Sequence, residues 1–413
     1  MAVLVIIFFV LVSVLVYAWA VYYGLLCLAR SLMRGSACRV PDGNCGELPE
    51  LSIIIAAYNE AGVIGARVLN LLAVDYPADK LHIYIGCDGC SDATAANARQ
   101  AAGGDVRVRV LEYADNRGKV SVLKDLVKLA QDEVCGVSEC GHLLAFSDAN
   151  TMFASDALNK LVRWFADSQV GGVCGRLVFV DGSANENPAQ EGAYWRMETR
   201  LKQLESHIDS CLGANGAIYA IRSELFWQEI PADTIVDDFV IGMKVREQGF
   251  GMLYDAEAVA RERLPEISDE WVRRVRIGLG DYQAAGLCAR CLLPRYGWFA
   301  WCFWSHKILR WFTPHVMLLM LALGGLIAIE ALTSSRMDLS VMAVLAVSSA
   351  MILLVGIALL GQLVRGRELK SLPWRMVEVC SHFVTMNAAL FAGFIRFCGG
   401  GRSGAWRRTP RSE

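Results

Sequence analysis

Two adjacent carboxylates, Asp237 and Asp238, stand among apolar residues at the head of a segment with helical spacing. One carboxylate of such a pair can face a cleft while the other is held within the structure. In a partly dry cleft, the pKa of a carboxylate can be shifted to suit proton transfer. The same residues also suit an ordinary helix start, where the dipole favours negative charge. The local sequence favours the second interpretation, and the other motifs of the chain reverse that preference.

Three further polar clusters follow short apolar runs that are typical of strands buried on both faces. Between residues 51 and 180 such runs alternate with helical patterns, which predicts a doubly wound α/β domain. Ligands of this architecture bind at the carboxyl ends of the strands, so we expect the clusters to border one crevice. The clusters are Tyr58, Asn59 and Glu60; then Asp88 and Asp92; then Asp148 and Asn150.

The third cluster has the ligand types and spacing of a divalent-cation site. Oxygen ligands two residues apart at a strand end, such as Asp148 and Asn150, can hold Mg²⁺ or Mn²⁺ against a diphosphate. An Asx turn with Asn150 as a helix cap explains the two residues equally well when they are taken alone.

Two groups of basic residues suit an anionic ligand. Lys119 follows a glycine at a predicted helix start, which favours an anion, although an ordinary glycine turn fits as well. Arg273, Arg274 and Arg276 lie on a later amphipathic helix, where guanidinium groups can form bidentate contacts with a diphosphate. The alternative for this helix is a basic face toward anionic lipid.

The composition indicates a membrane protein with a soluble middle. Of the 413 residues 54% are apolar, the excess lies at the two ends, and the net charge is only −2. We find no basic arm, aromatic platform or zinc-finger spacing, so we expect no nucleic-acid partner. The 14 cysteines lack the spacing of zinc ligands, which favours reduced thiols in a cytosolic domain.

The N-terminal run from residue 2 to 28 is long and apolar enough to cross a bilayer. Arg30, Arg34 and Arg39 follow it, so the positive-inside rule places the N-terminus outside and the next domain in the cytoplasm.

The C-terminal part contains a tryptophan-rich stretch and three long apolar runs. The tryptophans between residues 296 and 312 predict a helix lying in the membrane interface. The last run, 374–397, contains Glu378, His382 and Asn387, so we expect it to be re-entrant or interfacial. The predicted organisation is an anchor at 1–30, a linker at 31–50, the α/β domain at 51–285, an interfacial helix at 286–312, transmembrane or re-entrant helices at 313–398, and a basic cytoplasmic tail at 399–413.

These motifs, in this order, resemble those of membrane-anchored family 2 inverting glycosyltransferases of the GT-A fold. Bacterial enzymes that make exopolysaccharides, such as cellulose, hyaluronan and poly-N-acetylglucosamine synthases, belong to that family. The resemblance covers about residues 51–276. It implies an α/β GT-A domain with a Rossmann-like, doubly wound sheet between N- and C-terminal transmembrane helices. It also implies a UDP-sugar donor, a polysaccharide or polyprenyl-linked acceptor, contact with membrane lipid, and an inner-membrane location with the catalytic domain cytoplasmic.

The resemblance further implies a role for each motif. The segment Ala56-Ala-Tyr-Asn-Glu60 matches the uridine-binding motif, and Asp88-Gly-Cys-Ser-Asp92 the motif whose first Asp contacts the uracil or ribose. Asp148-Ala-Asn150 stands at the place of the Asp-x-Asp metal motif. Val236-Asp237-Asp238 stands where the last Asp is the catalytic base. The roles near the nucleotide and diphosphate fall on Lys119, Arg273, Arg274 and Arg276.

Two departures from the family pattern leave alternatives open. Asn150 replaces the second acid of the metal motif, and Ile277 replaces a tryptophan that is associated with processive synthases. A non-processive enzyme that adds one sugar to a polyprenyl-phosphate or diphosphate lipid is therefore the main alternative. A transporter with a nucleotide-binding regulatory domain and a catalytically inactive member of the fold are less consistent with the motifs.

Overall fold

The computed structural model describes residues 1–33, 47–134, 141–180, 193–263, 270–335, 337–363 and 372–401. The chain forms two compact units, and each is described by itself. The helical unit comprises Met1–Leu25, Glu270–Tyr282 and Phe303–Gly401. The sheet unit comprises Leu26–Asp269 and Gln283–Cys302. The predicted linker residues 34–46, and the basic residues Arg34, Arg39, Arg365, Arg367, Lys370 and 402–411, lie outside the described residues.

The sheet unit contains one eight-stranded sheet, and its strands are short except for two long ones near the end of the unit. The strands are β1 Glu50–Ala57, β2 Leu81–Asp88, β3 Val108–Tyr113, β4 His142–Phe146, β5 Met152–Phe153, β6 Val170–Val180, β7 Tyr219–Arg222 and β8 Gly251–Arg263.

The helices of both units are numbered in chain order. They are α1 Ala2–Val16, α2 Tyr22–Leu32, α3 Ile64–Leu72, α4 Thr94–Ala102, α5 Lys119–Val134, α6 Ala157–Val162, α7 Ala193–Ile208, α8 Asp237–Glu247, α9 Glu270–Leu287, α10 Trp298–Cys302, α11 Leu309–Trp311, α12 Thr313–Ser334, α13 Leu339–Leu363 and α14 Leu372–Cys398.

The sheet has the order β3-β2-β1-β4-β7-β6-β8-β5, so its first four strands in space are parallel. Every residue of β1 is buried, because helices cover both faces of such a parallel sheet. Ile53 pairs with Ile83 on one side and with Ala145 on the other, and all three belong to the main core cluster. The α/β expectation is confirmed for this half of the sheet.

The other half of the sheet is mixed. Strand β7 runs antiparallel to both of its neighbours, and β5 runs antiparallel to β8. Strands β6 and β8 are parallel to each other, with an irregularity between Gly175 and Arg176. Because β4 lies beside β7, the turn that follows β4 is close to the loop that precedes β7.

The helical unit contains long apolar helices. Two π-helical segments, Tyr17–Val21 and Phe303–Ile308, are joined by a 2.7 Å hydrogen bond between the hydroxyls of Tyr17 and Ser305. Among the described residues, four helices are long and apolar enough to cross a membrane. They are Ala2–Leu32, Thr313–Ser334, Leu339–Gln362 and Met376–Cys398.

The last apolar run is one continuous helix, α14, in which Asn387 donates its amide to the carbonyl of Phe383. Its predicted re-entrant or interfacial position, as opposed to crossing of the bilayer, stays a prediction. The predicted interfacial helix at 286–312 is not one helix, since short turns at Ala289–Leu292 and Pro294–Tyr296 precede a helical stretch that begins at Trp298.

Candidate active site

Asp88 ties the end of β2 to the start of α5. Its side chain is fully buried, and its two oxygens accept hydrogen bonds from the backbone N–H of Arg117, at 2.8 Å, and of Gly118, at 2.9 Å. Gly118 has a φ of +89°, which favours glycine at this turn. Asp88 therefore fixes the turn that carries Lys119, and its direct contact with a nucleoside stays a prediction.

The ammonium of Lys119 lies between two carboxylates. Its Nζ is 3.0 Å from Oδ1 of Asp148 and 3.4 Å from Oδ2 of Asp237. Burial lowers the pKa of Lys119, but the charges of Asp148, Asp237 and Asp238 outweigh it and raise the pKa above its ordinary value. Lys119 is therefore a fixed positive charge at this crevice.

The two carboxylates at the head of α8 have different surroundings. Asp237 is 5% exposed and faces Lys119, while Asp238 is half-buried and accepts a 2.8 Å hydrogen bond from the N–H of Phe239. Burial raises the pKa of Asp237 to about 6, against the lowering effect of Lys119. Burial also raises the pKa of Asp238, again with Lys119 opposing. A raised pKa makes a carboxylate a stronger proton acceptor, which suits a general base.

Asp148 and Asp238 flank the backbone at Gly216. A Cβ at this position would be 3.3 Å from Oδ2 of Asp148 and 3.4 Å from Oδ2 of Asp238. The two carboxylates come from segments about 90 residues apart in the sequence, and the loop before β7 brings them to one place. The structure thus joins the third polar cluster and the carboxylate pair in a single crevice.

The first two clusters hold each other in place. Asn59 has a φ of +54°, and its Oδ1 accepts a 2.9 Å hydrogen bond from the N–H of Ser91. Asp92 accepts hydrogen bonds from the N–H of Ala61 and of Thr94. Tyr58 is half-buried and Glu60 is 8% exposed at the same loop. These contacts order the carboxyl ends of β1 and β2.

A buried arginine supports the Asp148 turn and was not found by sequence analysis. Arg67 on α3 is fully buried and donates a 2.8 Å hydrogen bond to Oγ of Ser147. Burial lowers the pKa of Arg67 to about 9, with Asp148 opposing. In the sequence Arg67 looks like an ordinary charged residue on an amphipathic helix. Its apolar neighbours were the one indication that it is buried.

The arginine cluster belongs to the helical unit. Arg273 and Arg274 both pair with Glu270 on the same helix, α9, with 3.1 Å between Nε of Arg273 and Oε2 of Glu270. Arg276 is exposed. Contact of these three residues with a diphosphate stays a prediction.

The oxygen donors in the crevice fit a divalent cation that is completed by its substrate. Within the described ranges, no group of three His, Cys, Asp or Glu side chains has metal-binding geometry. Mg²⁺ commonly takes only one or two carboxylates and fills its remaining positions with phosphate oxygens and water. The side chain of Asp148 is 31% exposed and already pairs with one positive charge, the ammonium of Lys119. Asp148 and the neighbouring Asn150 are therefore suitable ligands.

The comparison with protein-family models decides the identification. Residues 49–276, more than half of the chain, match the model described as "Glycosyltransferase like family 2". The chain belongs to this family. The membership predicted from the motifs is confirmed, and so is its classification as a glycosyltransferase.

Similar proteins include two bacterial synthases. The beta-monoglucosyldiacylglycerol synthase of Synechocystis sp. is 26% identical over 264 residues, which cover 62% of this chain and 51% of that protein. The poly-beta-1,6-N-acetyl-D-glucosamine synthase of Staphylococcus aureus is 24% identical over 258 residues, which cover 61% of this chain and 59% of that protein. The match thus spans less than two thirds of the length of either relative.

A solved structure shares the fold of this glycosyltransferase. The mannosyltransferase PcManGT from Pyrobaculum calidifontis, solved with GDP-Man and Mn²⁺, has a TM-score of 0.63 and 20% identity. The similarity covers 95% of this chain and 98% of that one. The expected GT-A fold with apolar helices at both ends is confirmed.

Proposed function

We propose that this protein is a membrane-bound inverting glycosyltransferase that moves a sugar from a UDP-sugar to a polysaccharide or lipid-linked acceptor. The observation that carries the proposal is that Asp148 and Asp238 both approach Gly216, with Lys119 bound to Asp148. One carboxylate is thereby available to a cation, and the other to a proton. Inversion requires both groups, because the acceptor attacks the anomeric carbon from the side opposite the leaving diphosphate.

In this mechanism Asp238 accepts the proton of the acceptor hydroxyl as its oxygen bonds to the anomeric carbon. Its hydrogen bond from the N–H of Phe239 holds one oxygen, which leaves the oxygen near Gly216 to face the acceptor. Asp237 pairs with Lys119 and keeps that ammonium in the crevice. The bond between the anomeric carbon and the diphosphate oxygen breaks, and its electron pair leaves with UDP.

Positive charge near the leaving diphosphate has two proposed sources. Mg²⁺ or Mn²⁺ bound by Asp148 and Asn150 would neutralise charge on the diphosphate. Lys119, with its raised pKa, adds a permanent positive charge beside Asp148. The Mn²⁺ in the mannosyltransferase of similar fold supports this choice of ion.

The acceptor has a second candidate. Among the similar proteins is a synthase named for a glycolipid, and Ile277 replaces the tryptophan of processive enzymes. Addition of a single sugar to a membrane lipid is therefore the alternative. The four apolar helices and Arg30 in the last turn of the first of them support a membrane location with the sheet unit in the cytoplasm.

The experiment is a nucleotide-release screen of the full chain in lipid nanodiscs. It uses several UDP-sugars, with GDP-mannose as a competing donor, and is run with Mn²⁺, with Mg²⁺ and with a chelator. We expect release of UDP from one sugar only when the cation and an acceptor are present. Radiolabel in a single added sugar on extractable lipid selects the alternative acceptor, and label in a long polymer selects a polysaccharide. Release of nucleotide from no donor would contradict the proposal.

A further inference from the structure

Asn150 stands where the family motif has a second acid, and its side chain contacts a carboxylate of another strand. Asn150 is 9% exposed, and its Nδ2 donates a hydrogen bond to Oε1 of Glu262 on β8. The antiparallel pairing of β5 with β8 aligns Met152 with Arg261, which brings the two side chains together. The pairing of these two strands therefore fixes the contact between Asn150 and Glu262.

This contact determines which way the Asn150 amide faces. A carboxylate oxygen accepts hydrogen bonds, so the NH₂ group of Asn150 is directed at Glu262 and the carbonyl oxygen Oδ1 is directed away. Among the described residues, no donor contacts Oδ1 of Asn150, and this atom is not sealed inside the protein. The one side-chain oxygen that Asn150 can offer to a cation is thus left available.

We propose that Glu262 is a positioning residue for the cation: it orients Asn150 as an oxygen ligand and supplies the negative charge that the second acid would carry. The inference rests on the cation site of the proposed function. Neutral Asn150 alone would leave Asp148 as the only charged ligand in the motif. Glu262 supplies a second negative charge next to Asn150. Its hydrogen bond to the Asn150 amide makes the carbonyl oxygen of that amide a stronger ligand. Partners of this kind typically change metal affinity about 10–100-fold.

The test measures Mn²⁺ binding to the full chain in detergent by the electron paramagnetic resonance signal of free Mn²⁺, with and without UDP. In Glu262→Gln, the new side chain can offer Asn150 either an oxygen or an amide, so the orientation is lost. We expect the Kd for Mn²⁺ to rise about 10–100-fold. Glu257→Gln, on the same strand but paired with Arg163 at the surface, is the matched control and should bind as the unaltered protein does.

An exchange of the two groups provides the decisive comparison. In Asn150→Asp/Glu262→Gln, the new amide can donate to the new carboxylate, so the charge and the hydrogen bond are both kept. We expect this double variant to recover most of the lost affinity. If Glu262→Gln does not fold, as judged by its thermal unfolding, Asn150→Leu removes the oxygen ligand directly and should weaken binding by a similar factor.

The outcomes separate the two proposals. If the unaltered protein shows no saturable Mn²⁺ binding, the cation site of the proposed function is overturned, and the role of Glu262 with it. If the unaltered protein binds Mn²⁺ and folded Glu262→Gln binds it equally well, only the role of Glu262 is overturned. The role of Glu262 is also overturned, and that role alone, if Asn150→Leu binds Mn²⁺ with the Kd of the unaltered protein.

Discussion

Oδ2 of Asp148 and Oδ2 of Asp238 lie within 3.3 and 3.4 Å of the point where a Cβ would stand at Gly216. The two carboxylates therefore approach the same point of the backbone. Asp148 follows β4, in the parallel half of the sheet, and Asp238 lies at the start of α8, between β7 and β8 of the mixed half. An inverting transfer needs one group for the leaving diphosphate and another for the acceptor, since these occupy opposite sides of one carbon.

Asp238→Asn should lower the rate of sugar transfer by about 10²–10⁴-fold, the usual contribution of a general base. Donor binding should change little, because Asn has the same shape and the proposed role of Asp238 is toward the acceptor and not the donor. The measurements are turnover by UDP release and donor affinity by calorimetry. Asp132→Asn, an exposed residue on α5, is the control. Turnover of Asp238→Asn near that of the unaltered protein would remove Asp238 from the role of base.

The acid limb of the pH profile should lie above the ordinary pKa of an aspartate. A base must be deprotonated to work, and burial raises the pKa of Asp238, with Lys119 opposing; burial raises the pKa of the neighbouring Asp237 to about 6. Activity therefore begins to fall at a higher pH than a free aspartate would give. Lys119 lowers both pKa values, so Lys119→Met should move the limb of kcat/KM to higher pH. A limb at the same or a lower pH in Lys119→Met would contradict this assignment.

The sequence predicted that Asp148 and Asp238 border one crevice but not what supports them. Each lies at the end of a recognisable element, and the order of the motifs, more than the local sequence, indicated that they belong together. Arg67 contacts Ser147, 80 positions away, and Asn150 contacts Glu262, 112 positions away. Such contacts depend on the order of strands in the sheet, and the local pattern of an amphipathic helix or a strand does not contain that order.

Arg67→Met should destabilise the sheet unit and weaken the Asp148 turn. The guanidinium donates to Ser147 and, at 2.7 Å, to Oδ1 of Asn70, and loss of such buried bonds costs about 1–3 kcal/mol. The measurement is thermal unfolding in detergent together with Mn²⁺ binding. Arg99→Met removes an exposed pair with Glu112, so it should change stability by less than about 1 kcal/mol. Equal unfolding temperatures for the two variants would show that the buried arginine has no supporting role.

Gly216→Ala should abolish transfer while the protein stays folded. The added methyl group would lie against Asp148 and Asp238, at 3.3 and 3.4 Å from their oxygens, and would occupy space beside both carboxylates. Gly216 does not have a positive φ, so the backbone tolerates alanine there. Gly62→Ala is the matched control, because its new methyl group meets nothing within 4 Å. The measurements are UDP release and thermal unfolding of both variants. If Gly216→Ala unfolds at the temperature of the control and retains its turnover, the reacting groups do not meet between these two carboxylates.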